Sequence, residues 1–567
     1  MENQLQLKSP KSETGTSLLN RSDQNDDLDE LIDKGDLIDR FLSQQKEMTA
    51  VSRFSQWHEN DTEPSQARYY RDLIPLEKPQ ADEQYAFEVE LDTCSGCKAC
   101  VSACHSLNGL DFDETWRDVG TIYGKTKVAP VQFTVTTACH HCAEPGCLEG
   151  CPVLAYDKDP DTGIVRHLDD QCIGCQYCIL KCPYDVPKFS PEKGIVRKCD
   201  MCHSRLSANE APACVQACPN EAIKIVKVNR DQLTNNALTG KRLVPGAIDS
   251  GYTKPSTRYV VTKNGRKTEL DPSTFESLNP ADANALKPEH GHMPLVIMLV
   301  LTQLSVGAVG FDWLARMLGI QIPSALSWLA AAIGLAGINA SVMHLGRPLK
   351  AWLVFLGLKK SWLSREVVGF GMYAPLVMSL AMWPFVSAIP ELENRIPLPS
   401  TTVVSGLAFF AGLACVFCSI MVYVDTRRVF WRMSQTAGKF LGSSLLLGLC
   451  SASLFLAEHK ELLAVSVVVV GAGKFLWEIG FIMQNLNKDL CAEDPDIKSA
   501  RLMTGALVRA TMIRYISGLV GLLVIWYAPA VSLVLLTTSE LMERYLFFRA
   551  VVAPKMPGAV TAGGPNH

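Results

Sequence analysis

Sixteen of the twenty cysteines in this chain lie between Cys94 and Cys218, and no other feature limits the fold so strongly. They fall in four groups: Cys94-x2-Cys97-x2-Cys100-x3-Cys104, Cys139-x2-Cys142-x4-Cys147-x3-Cys151-Pro152, Cys172-x2-Cys175-x2-Cys178-x3-Cys182-Pro183 and Cys199-x2-Cys202-x11-Cys214-x3-Cys218-Pro219. Three close cysteines wrap a loop round one cubane of iron and sulfide, so that backbone N–H groups point at its sulfurs. The fourth opens the next helix and reaches the other cluster of a pair. Zinc sites show two separated pairs instead of four cysteines within eleven residues. Sixteen thiolates at four per cluster imply four 4Fe–4S centres. Cys199-Asp-Met-Cys202-His203 also matches the c-type haem attachment pattern, but the fourth group needs both of its cysteines. His140, His141 and His203 are expected to face solvent or to stand behind the ligands. Cys415, Cys418, Cys450 and Cys491 are read as small apolar residues without a role.

The 567 residues are too many for one core. The net charge of −4 gives no reason to expect a nucleic-acid partner. Up to about residue 290 the chain is polar. Beyond Met293 it turns into eight apolar runs, at about 293–311, 322–343, 366–388, 401–424, 438–457, 461–484, 509–528 and 530–548, most of which reach the roughly 20 residues that cross a bilayer. An even number of spans puts both ends of this half on one side. Loops on the side of the cysteine region carry Arg347, Lys350, Lys359, Lys360, Arg365, Arg427, Arg428, Arg432, Lys439, Lys488, Lys498, Arg501 and Arg509; those opposite carry only Arg316, Arg395 and Lys460. Lys and Arg stay in the cytoplasm, so the cysteine region and both termini are expected there, at a bacterial inner membrane. The first 50 residues are polar and acidic, with no apolar core and no twin arginine, so no export route is expected for the N-terminus. A reducing compartment argues against disulfides.

The four-group pattern resembles the iron–sulfur subunit of dimethyl sulfoxide reductase-type molybdoenzymes, over about residues 85–228. The resemblance implies an α+β ferredoxin-like four-cluster domain followed by an all-α membrane domain of eight transmembrane helices. It also implies four ligand sets: Cys94, Cys97, Cys100 with Cys218; Cys199, Cys202, Cys214 with Cys104; Cys139, Cys142, Cys147 with Cys182; and Cys172, Cys175, Cys178 with Cys151. The first group departs from the pattern, with His105 where the others have proline. In the apolar half, Met293-Pro-Leu-Val, Thr302-Gln303, His344-Leu-Gly-Arg-Pro-Leu-Lys-Ala-Trp352 and Ser361-Trp-Leu-Ser-Arg-Glu366 resemble the membrane anchor of the same family. That likeness covers about residues 291–550, and it implies that His344 and Glu366 serve a quinone site. On position alone they could instead be a helix-capping histidine and a glutamate paired with Arg347 or Arg365.

The layout read from the sequence is a polar, largely flexible extension over 1–84 with a marginal helix around Leu28–Leu42, a cluster domain over 85–228, a connector over 229–290, an anchor over 291–550 and a tail over 551–567. Within the connector, Tyr259–Thr262 reads as a short strand. Lys474, Glu478, Arg514, Glu540 and Arg544 fall inside spans and form either a neutralised structural cluster or part of a proton path. No haem b is expected, since the apolar half has only His292, His344 and His459, all near span ends or in a loop. The function that follows is that of an electron-transfer and anchor subunit. It would exchange electrons with menaquinone or ubiquinone in the lipid and serve a separate molybdopterin catalytic subunit that reduces an S- or N-oxide. One alternative runs the same architecture in reverse, oxidising sulfite on the cytoplasmic side. Another is a redox-driven ion pump.

Overall fold

The computed structural model describes residues 72–125, 129–263, 266–270, 277–386, 400–488 and 494–558. The expected helix near Leu28–Leu42, Arg395 and Cys491 lie outside them. All described residues belong to one unit, Tyr69–His567.

The run after Ala81 alternates strand-forming residues and becomes β1 (Glu83–Glu90), with Tyr85, Phe87 and Val89 turned inward. It pairs antiparallel with β8 (Ile223–Asn229), Phe87 facing Ile225. Thus the two ends of the cysteine region are zipped together, and the cysteine loops project from a closed base. On its other edge β1 runs parallel to β9 (Arg258–Lys263), which turns back into β10 (Arg266–Glu269), in the order β10-β9-β1-β8. A second sheet has the order β11-β2-β3, from Ser277–Pro280, Asp118–Lys125 and Pro130–Thr137. Two short hairpins, β4 (Tyr156–Lys158) with β5 (Val165–His167) and β6 (Lys188–Ser190) with β7 (Ile195–Arg197), follow the second and third cysteine groups. Residues 229–290, read as a connector, therefore supply β9, β10 and β11 to the sheets. They also form helix α3 (Arg230–Leu238), whose N-terminus is capped by the Asn229 side chain on Asp231 N–H. Helices α1 (Ala99–Asn108) and α2 (Tyr177–Lys181) begin within the first and third cysteine groups.

The apolar half is helical. Helices stand at all eight places marked by apolar runs: α4 (Met293–Met317), α5 (Ser324–Val342), α6 (Trp362–Val386), α7 (Thr401–Val424), α8 (Met433–Ser453), α9 (Lys460–Leu486), α11 (Val508–Val524) and α12 (Pro529–Arg549), with a shorter α10 (Pro495–Thr504) before α11. Five of the described helices, α4 to α7 and α9, are long and apolar enough to cross a membrane, and the bent pair α10–α11, at 74°, makes up to six. The expectation was eight. The two others are not uniformly apolar: α8 is rich in Ser and Gly and carries Lys439, and α12 carries Glu540, Glu543 and Arg544. Helix α4 packs against α5, α7, α8 and α12, so its residues from Val296 to Val309 are mostly buried. Pro294 and Pro529 occupy first-turn positions, where no backbone donor is lost.

The two halves meet along a hydrogen-bonded seam. Tyr177 and Lys181 of α2 reach the end of α7, donating to the Val422 carbonyl at 2.8 Å and the Asp425 carboxylate at 2.7 Å. Ser361 and Ser364, at the start of α6, donate to the Gly150 and Pro152 carbonyls. Between α5 and α6, Arg347 N–H bonds the Ile173 carbonyl at 3.0 Å, and the Arg347 guanidinium bonds the Asp169 carbonyl at 2.9 Å.

Candidate functional site

The four cysteine groups are built alike. Two residues after the first cysteine of each group stands a residue in the left-handed region: Gly96, His141, Gly174 and Met201, with φ of 72°, 40°, 70° and 60°. This kink turns successive backbone N–H groups toward the inside of the loop, a concavity suited to anions. Gly174 N–H lies 3.4 Å from Cys172 Sγ, and Met201 N–H 3.4 Å from Cys199 Sγ. A second repeat follows each Cys-Pro. Leu154, Asp185 and Glu221, three residues on, again have positive φ. The next N–H then folds onto the sulfur, Ala155 to Cys151 at 3.2 Å and Ala222 to Cys218 at 3.3 Å. The first group has His105 in place of proline, so α1 runs on to Asn108, and the Asn108 side-chain amide takes the place of the backbone donor, 3.6 Å from Cys104 Sγ.

The thiols gather across groups. Burial raises the Cys151, Cys175 and Cys178 thiols, and repulsion within the set of these three and Cys172 adds to it. Cys147 and Cys142 feel Cys139 and Cys182 in the same way. Cys104 is pushed up to about 12 by burial and by its neighbours Cys214 and Cys202; Cys94, raised mainly by burial, neighbours Cys100, Cys218 and Cys97. Two cations are buried among these sulfurs. Arg117 is surrounded by Cys100, Cys104, Cys199 and Cys214, and two of its guanidinium nitrogens, Nε and Nη2, have no hydrogen-bond acceptor among the described residues. Lys198 lies among Cys139, Cys147 and Cys199 and donates to the Cys199 carbonyl at 2.9 Å. A buried cation needs a counter-charge; cysteine sulfurs surround Arg117, and cysteine sulfurs with Asp200 surround Lys198. A donor set of grouped thiolates, inward N–H groups and buried cations fits an anionic iron–sulfur cluster. Among the described residues no three His, Cys, Asp or Glu side chains are close enough to hold a single metal ion.

His140 and His141, expected to face solvent or stand behind the ligands, are fully buried, and only His203 is partly open. His140 Nδ1 pairs with Thr257 Oγ1 at 2.8 Å, while His141 Nδ1 accepts from Val165 N–H at 3.0 Å. Both tie the second cysteine loop to the strands.

His344 and Glu366 come together in one cavity of about 280 Å³ where the two halves meet. Leu295, Met298, Ile338, Val367 and Phe370 make its walls apolar; His292, Gln176 and Tyr177 add polar groups, and Cys175 lines it from the iron–sulfur side. Glu366 is buried and accepts from Ser419 Oγ at 2.5 Å. The arginines weighed as its partners are engaged elsewhere: Arg347 on the Asp169 and Lys193 carbonyls, Arg365 on those of Leu358 and Lys359. Burial holds His344 down at about 4, with His290 adding to the effect, so its imidazole is neutral near neutral pH. An apolar slot with a neutral imidazole, a carboxyl group and a cysteine of the third group on its rim has the shape and polarity for a planar headgroup that exchanges protons.

Comparison with known proteins finds both halves. Residues 131–228 match the 4Fe-4S dicluster domain, a span that takes in three of the four cysteine groups. Residues 288–549 match the DMSO reductase anchor subunit (DmsC). The B subunit of the anaerobic dimethyl sulfoxide reductase of Haemophilus influenzae is 33% identical over 172 residues, which are 29% of this chain and 82% of that protein. The B subunit of the Escherichia coli enzyme is 30% identical over 210 residues, 35% of this chain and 98% of its own length. The protein belongs to the dimethyl sulfoxide reductase family. The formate dehydrogenase-O iron-sulfur subunit of Escherichia coli is also similar, 35% identical over 165 residues, 26% of this chain and 55% of that subunit.

As a dimethyl sulfoxide reductase-type protein, it joins an iron–sulfur electron-transfer part and a multi-pass membrane anchor in one polypeptide. Three features of its sites escape a reading of motifs. Arg117 and Lys198 look like surface charges in the sequence, Asn108 like an ordinary helix end, and His292 like a span boundary. For His292 the signal was present: His290-Gly-His292 directly before an apolar run is a dense placement of titratable groups at a membrane edge.

Proposed function

We propose that this chain carries electrons between a membrane quinone and a separate molybdopterin catalytic subunit, in the manner of an S- or N-oxide reductase, through four clusters held by the four ligand sets given above. Bound there, 4Fe–4S clusters would supply the one-electron steps that link a two-electron quinol to a distant site. The observation that carries this reading is the shared cavity: His344 and Glu366 line the same apolar slot as Cys175. A quinol there rests between a group that takes its protons and a loop that takes its electrons. The neutral His344 ring and the Glu366 carboxyl hold the headgroup, and the packed seam around Tyr177 and Ser361 keeps the slot at a fixed distance from the third cysteine loop. The names of the relatives support the partner: each is one subunit of a larger enzyme.

The test is Glu366→Gln beside His344→Ala, in membranes containing the assembled complex. Iron should stay at about sixteen atoms per chain, and dithionite should reduce the clusters normally. Reduction by quinol, per cluster, should fall by about 100-fold, the range for losing a proton-transfer group. Normal quinol-driven reduction in both variants would end the quinone assignment, and iron near eight would end the four-cluster one.

A further inference from the structure

We propose that His292 and His290 form a proton route joining the quinone cavity to the water on the iron–sulfur side of the membrane. The inference rests on the quinone reading above and adds the path its protons take. His292 lines two cavities. One is the slot of Glu366; the other, of about 160 Å³, is lined by Asp185, Glu289, His290, Arg428 and Lys555. The His292 ring meets two others edge-on, His344 with centroids 5.1 Å apart and His290 at 4.6 Å. Its Nδ1 is buried without a hydrogen-bond partner among the described residues, whereas His290 and Glu289 are exposed. A cavity of this size and polarity holds several waters.

The backbone gives a second, independent sign. His292 is the residue before α4 and has φ of 40°, a conformation that costs a non-glycine residue energy. Strain of this kind persists where a side chain must be aimed. Here it sets the ring between the two cavities.

The titratable and charged groups that line the two cavities of His292 come from every neighbouring element. They are His344 between α5 and α6, Glu366 on α6, Tyr423 on α7, Arg428 between α7 and α8, Tyr177 and Asp185 from the iron–sulfur domain, Glu289 and His290 from the segment before α4, and Lys555 from the C-terminal segment. Burial, then His344, His290 and Arg428, hold His292 at about 3. It is therefore neutral at neutral pH and passes a proton without storing one, accepting at one ring nitrogen as it releases from the other. His344, within hydrogen-bond reach of the Cys175 backbone, orients the headgroup and need not change charge. The balance is simple. One quinol becomes one quinone, two electrons and two protons; the electrons leave one at a time toward the third cysteine loop, and the protons leave through His292 to the cavity water and then to His290, Glu289 and solvent. Quinone reduction runs the same route backward.

The experiment uses membrane vesicles carrying the assembled complex, with menadiol as donor. Three quantities are followed: cluster reduction, proton release into a pH dye on the iron–sulfur side, and binding of a hydroxyquinoline N-oxide as quinol analogue. His292→Ala should slow cluster reduction and proton release together by about tenfold or more, while analogue affinity changes by less than about twofold. Added imidazole should restore the Ala variant and leave His292→Phe slow, because the phenyl ring fills the path. Dithionite-reducible cluster content normalises every rate, so poor assembly cannot pass for a blocked route. Full-rate reduction in His292→Ala, or no rescue by imidazole, overturns the route. Failure of the analogue to bind the unaltered protein would instead overturn the quinone reading, and the route with it.

Discussion

Lys474 Nζ bonds Glu540 in the middle of the helical half, and the contact opens onto a larger network. Arg514 pairs with Glu478 at 2.9 Å and with Glu540 at 3.0 Å; Lys439 pairs with Glu543 at 2.8 Å, and Arg544 with Glu543 at 3.1 Å. Ser443 donates to Glu540, and Arg544 Nη2 donates to Gln303 Oε1 and Ser443 Oγ. Four positive and three negative groups are all buried, with the Arg544 guanidinium 4.0 Å from the centre of the Phe440 ring, which shares its charge. The sequence pointed to five of the seven and missed Lys439 and Glu543. Helix α8 begins at Met433 and not near residue 438, so Lys439 lies nearly two turns inside the helix instead of at its edge. Every charge in the network faces an opposite one, which favours a structural role over a path. Glu540→Gln should then leave Lys474 and Arg514 with Glu478 as their one shared counter-charge, at a cost of about 3–5 kcal/mol. Assembled protein in membranes, measured as cluster content, should drop, while quinol-driven turnover per cluster stays unchanged. Turnover that falls at normal content would instead give the network a part in the reaction.

At the scale of elements, the cysteine loops were the most legible part, because their spacing is a local signal and their kinks recur at fixed offsets. The sheets were less so. β9 pairs with β1 across more than 160 residues of chain, and nothing local marks that partnership. The seam between the halves was least legible, because it depends on three glycines whose meeting across more than 150 residues of chain no local pattern marks. Gly174 and Gly194 have φ of 70° and 65°, and they meet Gly346, which follows His344 in the loop between α5 and α6. A Cβ on Gly346 would collide with the Gly194 carbonyl, which is backbone and cannot swing aside. Gly346→Val should push the loop off the iron–sulfur domain at a cost of about 1–3 kcal/mol or more. The measurable consequence is positional. Dithionite should still reduce the clusters, while quinol-driven reduction and analogue binding both fall, since His344 and Cys175 no longer line one cavity. If both survive in Gly346→Val, the seam does not define the slot.

For the whole molecule the decisive relation is between the two ends of the helical half. Glu289 N–H, just before α4, bonds the Arg549 carbonyl at the end of α12 at 3.1 Å. Beyond that point the tail runs back onto the iron–sulfur domain. Lys555 pairs with Asp282 at 2.9 Å, and Met556 is buried in the same core as Phe87 and Ile225. Entry and exit thus share a face. The loop between α5 and α6 and the loop between α7 and α8 also contact the iron–sulfur domain, through Arg347 and Asp425, and Arg432 joins the second of these loops to Asp496 at the start of α10. Under the proposed eight crossings, α8 and α12 would cross with their charged side chains turned into the bundle, where these are buried. The face so defined carries most of the loop Lys and Arg, which supports a cytoplasmic iron–sulfur domain. A reporter active only outside the cytoplasm, fused after His567, should therefore be silent, and the same reporter placed between α6 and α7, at Glu391, should be active. Because α6 starts at the iron–sulfur face and Glu391 follows its far end, that site reaches the other side only if α6 crosses, and the pair of fusions tests both orientation and crossing. Activity at His567 would invert the topology and with it the side on which protons and the catalytic partner are placed. Activity at neither site would remove the crossing by α6.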